Sequence, residues 1–311
     1  MNSHQLSALL DAPKAHSQGA FGTWRGESRW EFSRSWEFLK SEKKWQWFGA
    51  FFQNYAIGGA LVDLRYATKA FVWVFDRTTQ SLVYEASRTL PARLVRVADD
   101  TFTRDIAKSS GFSIERPSTN LWEIRIDWEH VNIDINLVSN LAPFTAHCPV
   151  QGSPSLHNTT RKEVGLTARG GLRISGVFHE LGLGHGLLDH SHGFMARETS
   201  WLWAMGSDAE QRLGFNAIQG FNADLENCVW AEGEIYAFDR ATVEVGEAFC
   251  AVKSNCGALD LRMDIEGIRR EDVDLKLVRS VYKQPLGVWN GTLLGQTVAL
   301  PGVAEDHFAR W

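Results

Sequence analysis

Only four cysteines occur in 311 residues and none stands in a CxxC pair, which excludes a disulfide framework and a thiolate zinc knot. Cys148, Cys228, Cys250 and Cys256 read as reduced thiols, with a Cys250–Cys256 bridge as the alternative. No apolar run approaches the roughly 18 residues that span a bilayer, so no membrane insertion is expected. Blocks of Lys and Arg are missing and the net charge is −5, which argues against nucleic acid, whose phosphates call for a basic stripe. The first 22 residues lack the basic start, apolar core and small-residue cleavage site of a secretory leader, so the chain reads as cytoplasmic. There is no glycine-rich nucleotide loop, nucleophile elbow or HExxH triplet. Nor does a 3.6-residue apolar pattern persist for fifteen residues; only 99–110 reads as a short helix.

What the chain has in quantity is flat apolar surface: thirteen tryptophans and eighteen phenylalanines. These rings either fill the cores or line a cavity for an apolar, ring-shaped ligand. Trp30 with Phe32 and Trp36 with Phe38 alternate with charged neighbours, and 43–52 continues as an aromatic-rich strand. Phe71 to Phe75 is a short continuous apolar run ended by a turn at 76–79. From 121 to 138, Trp122, Ile124, Ile126 and Trp128, then Val131, Ile133, Ile135 and Leu137, fall on one face, as a hairpin with one wet side requires.

The second half repeats the first. Trp45-Gln46-Trp47 is answered by Trp201-Leu202-Trp203, and Trp73 before Asp76 by Trp230 before Glu232; both acids follow the second Trp of their pair by 29 residues. The 121–138 hairpin finds its counterpart in 259–278, with Leu259, Leu261, Met263 and Ile265 inward and Val273, Leu275 and Leu277 returning. The stretch 188–197 is echoed by 304–310. The expectation is an all-β chain: a loose arm over 1–22, then two curled antiparallel β-barrel domains of common ancestry, 23–193 and 194–311, each closed so as to hide its strand edges.

Candidate chemistry concentrates between Gly176 and Gly206. If 178–190 is extended, His179, Leu181, Leu183, His185, Leu187 and Asp189 point one way and the residues between them the other. His179 and His185 then lie about 20 Å apart and cannot share an ion. His190 and His192 are better placed for a metal, with Asp189 completing the set; equally, they hydrogen-bond in a cavity wall or move protons. Asp189 and Glu305 occupy matching places in the repeat, each after an apolar strand end. There they serve as desolvated proton donors or as internal ion pairs, Asp189 with Arg197 and Glu305 with Arg310. Trp45, Trp47, Trp201 and Trp203 pack a core or turn π faces to a cationic intermediate. Asn222, Glu226 and Asn227, polar in an apolar stretch, are candidates for substrate hydrogen bonds.

Taken together, KKWQWFGAFF with VDLRY, LLDHSHGFMARETSWLWAMG, LGFNAIQG, LENCVWAEGEIY, PLGVWNGTL and PGVAEDHFARW resemble domain of unknown function 2804, over nearly everything from Trp24 to Trp311. The usual pattern after Leu-Asp is an aromatic, Ser, a basic residue and Gly; here it is His190-Ser191-His192-Gly193. That family is distantly similar to the duplicated lipocalin-like proteins that include carotenoid 1,2-hydratases, tocopherol cyclase and certain Diels-Alderases. The resemblance implies a two-barrel fold, a hydrophobic cavity at the domain junction, and acid-assisted addition, elimination or cyclisation of terpenoid- or polyketide-like molecules. The expected protein is a cofactor-independent lyase, hydratase or cyclase/isomerase of a hydrophobic small molecule. Asp189 would donate the proton, His192 act as its partner, Arg197 orient it and Glu305 serve as second acid. The four tryptophans, His190, Asn222, Glu226 and Asn227 would surround the substrate. A non-catalytic carrier of a lipophilic ligand, and a metal-dependent hydrolase or lyase using His190 and His192, are the rival readings.

Overall fold

The alternating stretch 121–138 folds as strands Leu121–Trp128 and Val131–Val138, with Trp122 opposite Leu137 and Ile124 opposite Ile135. The continuous run at 71–75 sits in strand Ala67–Asp76, where both faces are covered. Val72 and Val74 enter one apolar cluster while Phe71, Trp73 and Phe75 enter another, so no polar alternation survives. The computed structural model describes residues 6–16, 21–30, 41–150, 153–274, 276 and 278–311; Phe32, Trp36, Phe38, Leu275 and Leu277 lie outside them.

The fold is all-β, two tandem lipocalin-like curled antiparallel sheets related by duplication. In the first sheet the strands run in the order Ser81–Pro91, Ala67–Asp76, Tyr55–Asp63, Glu42–Phe51, Val177–Phe194, Ser153–Ile174, Val131–Val138, Leu121–Trp128, and on through Phe112–Ser118 and Asp105–Ser109 to Arg96–Val97. In the second, Glu234–Ala237, Cys228–Ala231, Leu213–Gln219, Glu198–Asp208, Gln296–Arg310, Arg279–Leu293, Leu259–Asp274, Cys250–Ser254 and Ala241–Val245 follow the same order. The chain leaves the first sheet at Phe194 and enters the second at Glu198. Apolar clusters fill the curl of each sheet, and a third, built on Trp47, Trp73, Trp203 and Trp230, packs the sheets together.

Several expectations need correcting. The segment 259–278 is not a hairpin: Leu259–Asp274 is one 16-residue strand, bent by a bulge between Ile265 and Gly267, and the chain returns through Arg279–Leu293. The true counterpart of the 121–138 hairpin pairs Cys250–Ser254 with that long strand. Residues 99–110 form no helix; Asp105–Ser109 pairs with Phe112–Ser118, burying Ile106 and Ala107 where a short helix would be marginal. The 178–190 stretch is extended, but a bulge at Leu181 reverses its alternation, with Gly182 at φ +70°. Leu181 therefore joins the first core with Leu188, and Leu187 faces the second sheet. Among the described residues no ladder joins the outermost strands of either sheet, so these are curled half-barrels, not closed ones. The amino-terminal arm is partly structured: Ser7–Ala8 pairs with Tyr236 and Ala237 at the edge of the second sheet. All four cysteines are free, and among the described residues no helix is long and apolar enough to cross a membrane.

The two sheets are held at one edge by a bidentate pair, Arg77 to Glu266, with both N···O distances 2.7 Å. Beside it Gly267 lies against the Phe75 ring, where a methyl group would overlap ring carbons. Gly267→Ala is therefore expected to cost about 1–3 kcal/mol, read as a lower urea midpoint at unchanged slope. An unchanged midpoint would show that Phe75 is free to give way.

Candidate active site

Because Trp45 and Trp47 are two apart on one strand, both indoles leave the same face, and Trp201 and Trp203 do the same in the second sheet. The duplication turns the two pairs toward each other. Trp45 and Trp201 lie nearly parallel, centroids 6.4 Å apart and planes at 15°, while Trp47 meets Trp203 edge-on at 5.3 Å. They wall a small cavity of about 110 Å³ between the sheets.

In each sheet the strand bearing the Trp pair is hydrogen-bonded to the strand bearing the acid. Trp47 stands opposite Asp189 and Trp203 opposite Glu305. The outer indole of each pair holds its acid: Trp45 Nε1 donates to Asp189 Oδ2 at 3.0 Å, and Trp201 Nε1 to Glu305 Oε1 at 2.8 Å. Both acids border the cavity.

Their other partners differ. Asp189 Oδ1 accepts from Lys162 Nζ at 2.7 Å and from Thr160 Oγ1 at 3.3 Å. Glu226 reaches the same ammonium from the second half of the chain, its Oε2 3.0 Å from Lys162 Nζ but off the hydrogen-bond direction, while Asn222 donates to Oε1. Lys162 Nζ also lies 5.3 Å from the Trp203 ring centroid. Burial pushes the Glu226 carboxyl up, Lys162 pulls it back and Asp189 pushes it up again; the result lies above the usual carboxylate range. Burial opposes the charge on Lys162, but Asp189 and Glu226 outweigh it and hold the ammonium above the ordinary lysine range. One cation thus faces two buried carboxyls, and burial raises the proton affinity of Glu226.

Around Glu305 the partners, besides the Trp201 indole, are an amide, an imidazole and a phenol. Gln284 Nε2 donates to Oε2 at 3.0 Å, and His307 Nδ1 is 3.7 Å from Oε1. Tyr282, opposite His307 in the ladder, is buried with its hydroxyl in no aligned hydrogen bond; burial pushes its phenol well above the usual range. Arg269 covers the rings of Phe71 and Tyr282, 4.2 and 5.0 Å from their centroids.

Of the residues singled out from sequence, Trp45, Trp47, Trp201, Trp203, Asp189, Glu226 and Glu305 come together here. Asn222 stands behind Glu226, and Asn227 braces the loop, accepting from the Ile218 amide and donating to the Asp224 carbonyl. His190 and His192 do not join them, because strand alternation sends even positions to the opposite face. There His192 Nε2 is 3.0 Å from Glu42 Oε1 and Nδ1 3.0 Å from the Asp99 carbonyl. The expected partnership of Asp189 with His192 is therefore not formed, nor the ligand set of Asp189 with both histidines. Glu42, Asp99 and His192 bring three ligating atoms within 4.8 Å of one another, but Lys44 pairs with Asp99 and Arg65 lies 3.2 Å from Glu42, supplying the positive charge. Arg197 is exposed past the strand end, and the cation beside Asp189 is Lys162. Arg310 donates to the Lys276 carbonyl, not to Glu305.

Residues 18–311 match the family described as Domain of unknown function (DUF2804). The chain belongs to this family. No curated protein matches the sequence. Among solved structures the DUF2804 chain is similar to kievitone hydratase from Nectria haematococca, at 10% identity over 96% of this chain and 98% of that one, TM-score 0.59. It is also similar to a putative AttH protein from Nitrosomonas europaea, at 13% identity over 86% and 92%, TM-score 0.58. These likenesses are of fold. Sequence reasoning missed Lys162, Tyr282, Gln284 and His307 of the DUF2804 site. The one signal was the charged triplet Arg161-Lys162-Glu163 inside a strand, all three buried, whose partners only the ladder reveals.

On the far face, burial together with the charge of His192 pushes His157 down to about 4 and His190 down to about 3. Both are neutral when folded, whereas the unfolded chain takes up their protons near the ordinary value of about 6.5. Their contribution is intact above that pH and is lost as pH falls through 6.5 toward the folded values, by about 2 kcal/mol each at pH 5. The urea midpoint of wild type should drop between pH 7.5 and pH 5, and that drop should shrink in His190→Gln; an equal drop in both would remove His190 from the account.

Proposed function

We propose that this protein is a cofactor-independent lyase or isomerase of the hydratase or cyclase type, which protonates an unsaturated, hydrophobic small molecule in the cavity between the sheets. The observation that carries this reading is Glu226, a buried carboxyl with a raised pKa beside a Lys162–Asp189 ion pair and facing indole rings. The name of the similarly folded kievitone hydratase is consistent with it.

In the proposed step the π electrons of an alkene take the Glu226 proton, forming a C–H bond and leaving positive charge on the neighbouring carbon. The faces of Trp45 and Trp201 and the carboxylates of Asp189 and Glu305 stabilise that charge in a dry site. Water then adds its oxygen to the cation and gives up a proton to Glu305 or His307, completing hydration. Loss of a proton from an adjacent carbon gives the isomer instead, and attack by a second double bond, followed by the same proton loss, gives a ring. Asp189, fixed as the counter-ion of Lys162, is the electrostatic partner in this scheme, and the proton donor shifts from it to Glu226.

The test is incubation with a panel of prenylated phenols, isoprenoid alkenes and polyenes in D2O and in H2(18)O, followed by mass spectrometry. Carbon-bound deuterium is expected in the product, with heavy oxygen if water adds. Glu226→Gln should lower turnover by roughly 10²–10⁴-fold. Because the acid form is required, kcat/KM should fall as pH rises through the elevated Glu226 titration. Deuterium incorporation that survives Glu226→Gln undiminished would remove Glu226 as donor, and ligand binding without any incorporation would make the protein a carrier.

A further inference from the structure

The two halves of the cavity superimpose position by position through their ladders, and that allows the conserved and the diverged parts of the site to be separated. Trp45 and Trp201, Trp47 and Trp203, and Asp189 and Glu305 are matched and alike. Three further matched positions differ. Thr160, opposite Ser191, corresponds to Tyr282, opposite His307. Lys162, which donates to Asp189, corresponds to Gln284, which donates to Glu305. The retained residues shape the chamber, and the exchanged ones set its polarity. In the first half Thr160 and Ser191 are small and hydrogen-bonded to each other at 3.0 Å, behind the wall. In the second half, Tyr282 and His307 are large enough to reach the cavity.

Tyr282 is the telling member. Its hydroxyl is buried beside Glu305 and Arg269 with an aligned hydrogen bond to neither, which leaves its bonding capacity incompletely used. His307 Nε2 is taken by Ser280 Oγ at 2.9 Å, which leaves Nδ1 toward Glu305 and the ring edge against Trp201. A pure hydrocarbon would leave the Tyr282 hydroxyl unanswered, whereas an oxygen atom on the ligand would satisfy it.

Resting on the reading of the cavity as a ligand site, we infer that its ligand is an unsaturated ring compound carrying a hydroxyl or carbonyl oxygen, which Tyr282 and the Glu305–His307 pair hold. The opposite end of that ligand lies toward Glu226 and Lys162. Tyr282 is thus the residue that selects oxygenated ligands over hydrocarbons of the same shape.

The experiment compares 2-naphthol with 2-methylnaphthalene, which differ by hydroxyl against methyl, by equilibrium dialysis against the full chain. Wild type should bind 2-naphthol at least tenfold more tightly. Tyr282→Phe should bring 2-naphthol to within about threefold of 2-methylnaphthalene and leave the hydrocarbon's affinity unchanged. His307→Gln, read alongside, should also narrow the gap. Equal affinity of the two probes for wild type, no binding of either, or a Tyr282→Phe variant that weakens both alike would overturn the inference. A failed deuterium assay with an intact naphthol preference therefore sinks the catalytic reading alone, and the converse sinks only the ligand class.

Discussion

One buried ammonium stands between the two halves of this molecule. Lys162 comes from the first sheet, as does Asp189, while Glu226 arrives from the second half. Taking a charge out of water is expensive, and the pairing offsets that cost only while the partners stay in place; removing one member of such a buried pair typically costs 3–5 kcal/mol. The position of the 225–227 loop, the closeness of the sheets and the protonation of Glu226 are therefore one linked problem. With a single cation for two buried carboxyls, Glu226, the less well bonded of the two, has its pKa raised. Asp189 accepts from an ammonium, an indole and a hydroxyl, whereas Glu226 has an amide on one oxygen and a misaligned ammonium near the other.

Duplication explains why such a site exists at all. A curled sheet with an apolar outer stripe must cover it, and a second copy of the same sheet presents the same stripe. Phe71 and Phe75 of Ala67–Asp76 meet Tyr282 and Gly267 of the second sheet, Trp230 of Cys228–Ala231 meets Phe144 of the first, and the tryptophan pairs follow. Each curl is filled by its own side chains, so the space left for a ligand lies between the sheets and not inside either one. Once the shape was fixed by the repeated Trp and acid positions, the neighbouring strand was free to diverge, to a lysine on one side and a glutamine and tyrosine on the other.

Much of this was legible before any coordinates. Period-two alternation at 121–138 specified a hairpin, the paired WxW motifs specified a repeat, and the matched acids Asp189 and Glu305 both border the cavity between the sheets. The failures share a cause. The apparent hairpin at 259–278 is one strand bent by a bulge beside Gly267, which lies against Phe75, a contact with the other sheet that no local pattern records. Alternation along 178–190 was read through a bulge that reverses it. The grouping of Asp189 with His192 and Arg197 followed nearness in sequence, although three residues along a strand place two side chains on opposite faces.

Side-chain periodicity and self-similarity, which are properties of the chain alone, determined that the protein is all-β, doubled, and rich in paired indoles and acids. Which acid meets which base was decided by the ladders and by the docking of the sheets. Lys162 is 27 residues from Asp189 and 64 from Glu226 in the chain, yet within 3.0 Å of both. Proton affinity depends on burial and on charges within a few ångströms. Those distances exist only after the backbone has been folded through space, and so which carboxyl has its proton affinity raised was a tertiary outcome.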